Sequence, residues 1–312
     1  MRPEGAVTGA RPLKRRDLFP EPLIDGQAVR DHSLARLQRR MSSLLVSRPE
    51  REEADLERRL RGHPGVTRPN LVASLSPKGG VGKSTSGFLI GNVLASHLKL
   101  RAIAVDASSG GTLGRFAPDS ARAAASPADL LDNANRIGTA AELRRFVTLL
   151  PSGLHLLAAP HDAARASSLG PDSYGELVAL LSCFYETVLL DLSGVTTPLA
   201  RFALDRADQA VLVTTPDQLT ATLALHALDQ LESIDHERTT VVVNRSHPRL
   251  VPELRAIEEC LARRGARRPV AVPDDRRLAT MLHTGTYSLE ALDRNTRLAV
   301  KRLGLAVAER LV

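Results

Sequence analysis

Lysine is scarce in this 312-residue chain: among 42 Lys plus Arg it occurs only at Lys14, Lys78, Lys83, Lys99 and Lys301. Two of these five lie in one glycine-rich stretch, SPKGGVGKST (76–85). Where arginine is the default base, positions that keep lysine point to a need for a compact, flexible point charge in place of a planar fork. Gly79, Gly80 and Gly82 free the backbone to turn its N–H groups onto an anion, and a helix starting near Lys83 adds the positive end of its dipole. The apolar run LVASLS (71–76) reads as a strand leading in, and SGFLIGNVLASHL has the spacing of a helix leading out. Strand, glycine loop and helix in that order predict a phosphate cradle. Gly79, Gly80, Val81, Gly82 and Thr85 would line it, Lys83 would reach the β- and γ-phosphates, and the Ser84 hydroxyl would ligate Mg2+. In the usual P-loop template a glycine stands further upstream; here Pro77 and Lys78 occupy that place.

The elements that must position this loop are legible from hydrophobic periodicity. Short apolar runs, RAIAVD (101–106), LHLLAA (154–159), TVLLDL (187–192), AVLVTT (210–215), TTVVVN (239–244) and PVAVP (269–273), alternate with stretches of i, i+3, i+4 apolar spacing. Continuous apolar strands separated by helices predict an α/β fold, a P-loop NTPase with a mostly parallel sheet covered by helices on both faces. Asp191 and Asp106 each stand near the end of an apolar strand. Residues 1–27, rich in Pro and Gly, predict a disordered basic tail; 28–67 predict an arginine-rich helical extension broken near Pro49 and stopped by Gly62 and Pro64; 68–312 predict the P-loop domain. The tail RLAVKRLGLAVAERLV is apolar nearly all round with small residues, which predicts a core-packed final helix and not a membrane-lying one.

Composition narrows the function classes. With 3% aromatics and no Trp the chain lacks the stacking platforms of single-strand nucleic-acid binders. Cys183 and Cys260 are too far apart for a metal knuckle and read as reduced thiols of a cytoplasmic protein. The absence of a long apolar run or an apolar leader predicts neither a spanning helix nor a signal peptide. Net charge is +7; residues 1–68 carry 15 basic against 10 acidic side chains, and a second cluster comprises Arg255, Arg263, Arg264, Arg267, Arg268, Arg276 and Arg277. Such a surplus draws phosphate backbones or anionic lipid, or is simply a solvated surface.

The loop K-G-G-x-G-K-[ST]-T resembles the deviant Walker A box of the ParA/MinD ATPases, and the resemblance extends over roughly 68–312. It implies that Lys78 is the signature lysine, reaching the phosphates of a partner subunit in an ATP-sandwich homodimer, while Lys83 serves its own nucleotide. It further implies ATP and Mg2+ as cofactors, Asp191 in the Walker B position, and adenine contacts from Asn244 and from the loop at Pro273 and Asp274. Catalytic roles fall to Lys78, Lys83 and Asp106, and metal binding to Ser84, Asp106 and Asp191. One box departs from the family: its D-x-D becomes VDAS, so Ser108 stands where a second aspartate orients the attacking water. A hydroxyl cannot take that proton as a carboxylate can, which predicts slow hydrolysis or a substitute such as Asp106. The sequence is similar here to a divergent actinobacterial ParA-like subgroup. Two functions stay open: a positioning or DNA-segregation ATPase that binds DNA non-specifically in its ATP state and answers to a ParB-like or other adaptor, with membrane the less favoured surface; or a weakly hydrolysing regulatory or scaffolding subunit, MinD-like or secretion-linked.

Overall fold

A computed structural model describes residues 49–312 apart from 109–110, 124, 160–164, 166–167 and 231–235. The tail expected over 1–27 and the beginning of the helical extension lie outside the described residues.

The helix α1 (Pro49–Arg61) is followed by β1 (Asn70–Leu75), α2 (Lys83–Ser96) and β2 (Ala102–Ala107). Two short helices, α3 (Pro127–Asp132) and α4 (Ala140–Leu143), lead to the edge strand β3 (Thr148–Leu149) and its neighbour β4 (His155–Leu157). Then come α5 (Pro171–Ser182), β5 (Thr187–Leu192), α6 (Pro198–Arg206), β6 (Gln209–Thr214), α7 (Gln218–Gln230), β7 (Thr239–Ser246), α8 (Val251–Ala262), β8 (Val270–Pro273), α9 (Arg276–Thr284) and α10 (Arg294–Ala308). The eight strands form one sheet in the order β3-β4-β2-β5-β1-β6-β7-β8; the β3–β4 pair is antiparallel and the other pairs are parallel.

Strands β1, β2, β5 and β6 are buried along their whole length, as continuous apolar runs require in a sheet covered on both faces. One face packs against α2 and α10 through Val93, Leu94, Leu298, Val300 and Leu303. There the helices approach so closely that a Cβ on Gly304 would sit 2.3 Å from Val93 Cγ1. The other face is covered by α5 to α8 through Tyr174, Leu177, Ala203, Leu225 and Ile257. The final helix is therefore core-packed, as its apolar pattern predicts.

Helix α1 ends at Gly62, whose N–H closes on Arg58 O at 2.8 Å. Leu56 and Leu60 enter the α2/α10 core, so this helix packs with the sheet although the sequence places it ahead of the 68–312 domain. Its acidic positions Glu52, Glu53 and Glu57 face the basic positions Arg302, Arg297 and Lys301 of α10. Lys301, only 1% exposed, donates to Glu57 at 2.8 Å, and the Arg297 hydrogen bond holds the Glu53 carboxyl below the usual carboxylate range. Arg58, Arg59 and Arg61 also pair, with Asp55, Glu309 and Glu57. Most of the arginine charge on this helix is thereby answered within the molecule.

Candidate nucleotide site

Because the central strands are parallel, the loops after β1, β2, β5, β7 and β8 all leave the same edge of the sheet. Register then decides who meets whom: Asp191 on β5 lies opposite Ser74 on β1 and opposite Asp106 on β2. The glycine loop springs from β1 beside both aspartates, at the carboxyl edge where open α/β sheets bind ligands. A shallow cavity of about 260 Å³, lined in part by Arg68, Asn70, Phe202 and Asp208, lies at the opposite edge, where β1 and β6 begin.

Gly82 caps α2 with φ 94°, a left-handed conformation that favours glycine, and a Cβ here would fall 2.0 Å from Asn244 Nδ2. Asn244 lies at this edge of β7, 8% exposed, and donates from Nδ2 to Val81 O at 2.8 Å. Pro273 ends β8, and Asp274 N–H donates to Ser246 O at 2.9 Å, which ties that loop to the end of β7. Gly79 and Gly80 are exposed at the mouth, Gly80 with φ 80°; Thr85 follows in the first turn of α2.

Lys83 forms an ion pair with Asp191 Oδ1. Burial pushes the Asp191 carboxyl up, against the opposing pull of Lys83 and the Ser84 hydroxyl. Its second oxygen, Oδ2, is buried and lacks a hydrogen-bond partner among the described residues, as does Ser74 Oγ. Such an orphan acceptor carries a desolvation cost unless something binds it. A buried carboxylate oxygen beside the α2 hydroxyl of Ser84 is the donor set a hydrated Mg2+ takes: a hydroxyl to the metal and a carboxylate to its water. The residues present thus fit the metal and a nucleotide diphosphate, with the amides of the glycine loop and Lys83 as the anion's partners.

Asp106, fully buried, faces its own loop. Oδ1 accepts from Ser108 N at 3.2 Å and from Ser108 Oγ at 2.6 Å, and Oδ2 accepts from Leu113 N at 3.0 Å. Ser108 therefore binds the aspartate, and both aspartate oxygens are engaged. The same loop carries a residue that sequence reasoning passed over: Thr112 Oγ1 donates to Ser84 Oγ at 2.9 Å. No spacing rule marks a threonine that reaches its partner only through tertiary folding.

Lys78 is exposed and stands outside the Lys83–Asp191 pair; its ammonium helps to lower the Asp217 carboxyl, for which burial is the larger and opposing influence. Asp217 accepts from the Thr215 and Thr220 hydroxyls and from Thr220 N–H ahead of α7.

No protein-family model matches the chain. It is 29% identical over 223 residues to the ESX-1 secretion-associated protein EspI of Mycobacterium tuberculosis, a match covering 70% of this chain and 32% of EspI. The chain thus spans about a third of the curated relative it matches. Among solved structures, a ParA family ATPase from Chlorobium tepidum superposes with a TM-score of 0.64 at 20% identity, covering 75% of this chain and 98% of the other. The septum site-determining protein MinD of Pyrococcus horikoshii, complexed with Mg-ADP, gives 0.58 at 18% identity over 76% of this chain and 94% of its own. With its sheet order and its glycine loop after β1, the chain has the fold of the ParA/MinD-like P-loop ATPases.

Proposed function

We propose that the protein is an ATP-dependent switch: it binds ATP with Mg2+ at the 76–85 loop, dimerises across the nucleotide, and hydrolyses it slowly. The observation that carries this reading is the division of labour between the two loop lysines. Lys83 is paired to Asp191 within its own chain, whereas Lys78 projects, exposed, from the same loop. Ser84 would hold Mg2+ and Asp191 would order its water, the metal would offset phosphate charge, and Lys83 would reach the β- and γ-phosphates. Asn244, Pro273 and Asp274 lie at the same edge, in position to line an adenine pocket.

Exposed Arg245 near the end of β7, with Arg249, Arg276 and Arg277 after β7 and β8, lies at this edge, and the four favour an anionic surface as the partner of the closed dimer. Duplex DNA, bound without sequence reading, fits that charge. Among the described residues no helix is long and apolar enough to cross a membrane. The test is DNA binding at several salt concentrations with ATP, ADP or neither. Binding should require ATP and weaken with salt at a log–log slope of roughly 0.9 per phosphate neutralised. Binding that ignores nucleotide or salt would contradict the DNA arm.

A second reading is a secretion-linked regulatory subunit that binds ATP and barely turns it over. Two observations favour it: the likeness to EspI, and a Ser108 hydroxyl spent on Asp106 where a water-orienting carboxylate would stand. Nucleotide binding with turnover indifferent to DNA would select this reading.

A further inference from the structure

We infer that Thr112 is a positioning residue for the metal, sorting the proton of Ser84 so that its oxygen faces Mg2+. The inference rests on the Mg-nucleotide reading above.

Asp106 is fully buried at the end of β2, and its two oxygens accept three hydrogen bonds from Ser108 and Leu113. Leu113, itself wholly buried, fixes the chain immediately after Thr112. The threonine is thus delivered to its place by a closed polar ring and an apolar plug, while its own side chain remains at the surface. From there Oγ1 donates to Ser84 Oγ at 2.9 Å.

A serine hydroxyl has one proton and two lone pairs, and only a lone pair can ligate a cation. Since Thr112 donates, it occupies one lone pair and forces the Ser84 proton elsewhere. The Asp191 carboxylate, paired with the neighbouring Lys83 at the start of α2, is the acceptor at hand. The remaining lone pair is left for the metal. Asp191 Oδ2 is buried and lacks a hydrogen-bond partner among the described residues, so it has room for the Ser84 proton and for a water of the metal. Thr112 suits this task because β-branching restricts its χ1 rotamer. The contact also couples the metal to the Asp106 ring, so that loss of Mg2+ is felt in the loop that would hold the attacking water.

The experiment is calorimetric titration of the full chain with ADP, in Mg2+ and in EDTA, for wild type, Thr112→Val and Thr112→Ser. Wild type should bind more tightly with Mg2+. Thr112→Val should lose about tenfold of that gain, the equivalent of one hydrogen bond to a charged centre, while its affinity in EDTA stays within about twofold. Thr112→Ser should restore most of the gain. A valine variant that keeps the whole Mg2+ gain, or that weakens equally in EDTA, overturns the inference. So does a wild type with equal affinity in both buffers, which leaves nucleotide binding standing. Wild type that binds no ADP in either buffer overturns the underlying reading and this one with it.

Discussion

Lys83→Ala is expected to lower affinity for Mg-ATP by about 100-fold or more and to destabilise the nucleotide-free protein by about 3 kcal/mol. The first figure follows from two charge-assisted contacts, to the β- and γ-phosphates, each worth about 1.5–3 kcal/mol. The second follows from the partner left behind. Asp191 is 3% exposed and Lys83 12%, so this pair is screened little by solvent. Removing one member of a buried pair costs about 3–5 kcal/mol because the other charge is stranded. The penalty should depend on pH with a definite sign. Burial holds the folded Asp191 carboxyl above its ordinary range even with Lys83 present, and more so without it. A carboxyl whose folded value exceeds its unfolded one binds more protons when folded, so stability falls as pH rises between the two values. Urea unfolding of the variant should therefore show its smallest deficit in mild acid and its largest near neutrality. A deficit independent of pH would mean that Asp191 is not the stranded group.

Asp106→Ala is expected to abolish turnover, by on the order of 10²- to 10⁴-fold, the range of general-base assistance. It also strips three hydrogen bonds from the loop that ends at Leu113, leaving the Leu113 amide without its acceptor. Ser108→Asp discriminates between two routes to that loss. In the native loop the Ser108 hydroxyl donates to Asp106, an arrangement that a second carboxylate cannot copy, because two anions repel. The new carboxylate must point away from Asp106, and basal turnover should rise by about tenfold or more if that direction is the water's. If Ser108→Asp leaves the rate unchanged while Asp106→Ala abolishes it, Asp106 orients the water itself. Steady-state phosphate release at saturating ATP reads both variants.

The sheet was legible because its strands obey a single rule. Six-residue apolar runs such as TVLLDL leave few alternatives once helical stretches separate them, and these strands are buried throughout. The glycine loop was legible for a different reason, since its local backbone demands are written in residue type: Gly82 adopts φ 94° and faces Asn244. What stayed hidden depends on contacts between distant segments. Thr112 meets Ser84 only after β2 and β1 are placed on either side of β5. Helix α1 read as part of an arginine-rich extension ahead of the domain, yet Leu56 and Leu60 lie in the core and its glutamates face α10. Charge counting along the chain cannot see that pairing. Ser108 was recognised as a departure, but its partner was not, because a hydroxyl two residues from an aspartate can turn to solvent equally well in an extended chain.

The central claim is that two lysines of one loop serve two nucleotides. Sedimentation of wild type and Lys78→Ala with Mg-ATP tests it most directly, with ATP binding measured in parallel. Wild type should become a dimer, while Lys78→Ala should bind ATP through Lys83 and remain monomeric. Dimerisation of Lys78→Ala to the wild-type extent would contradict the account.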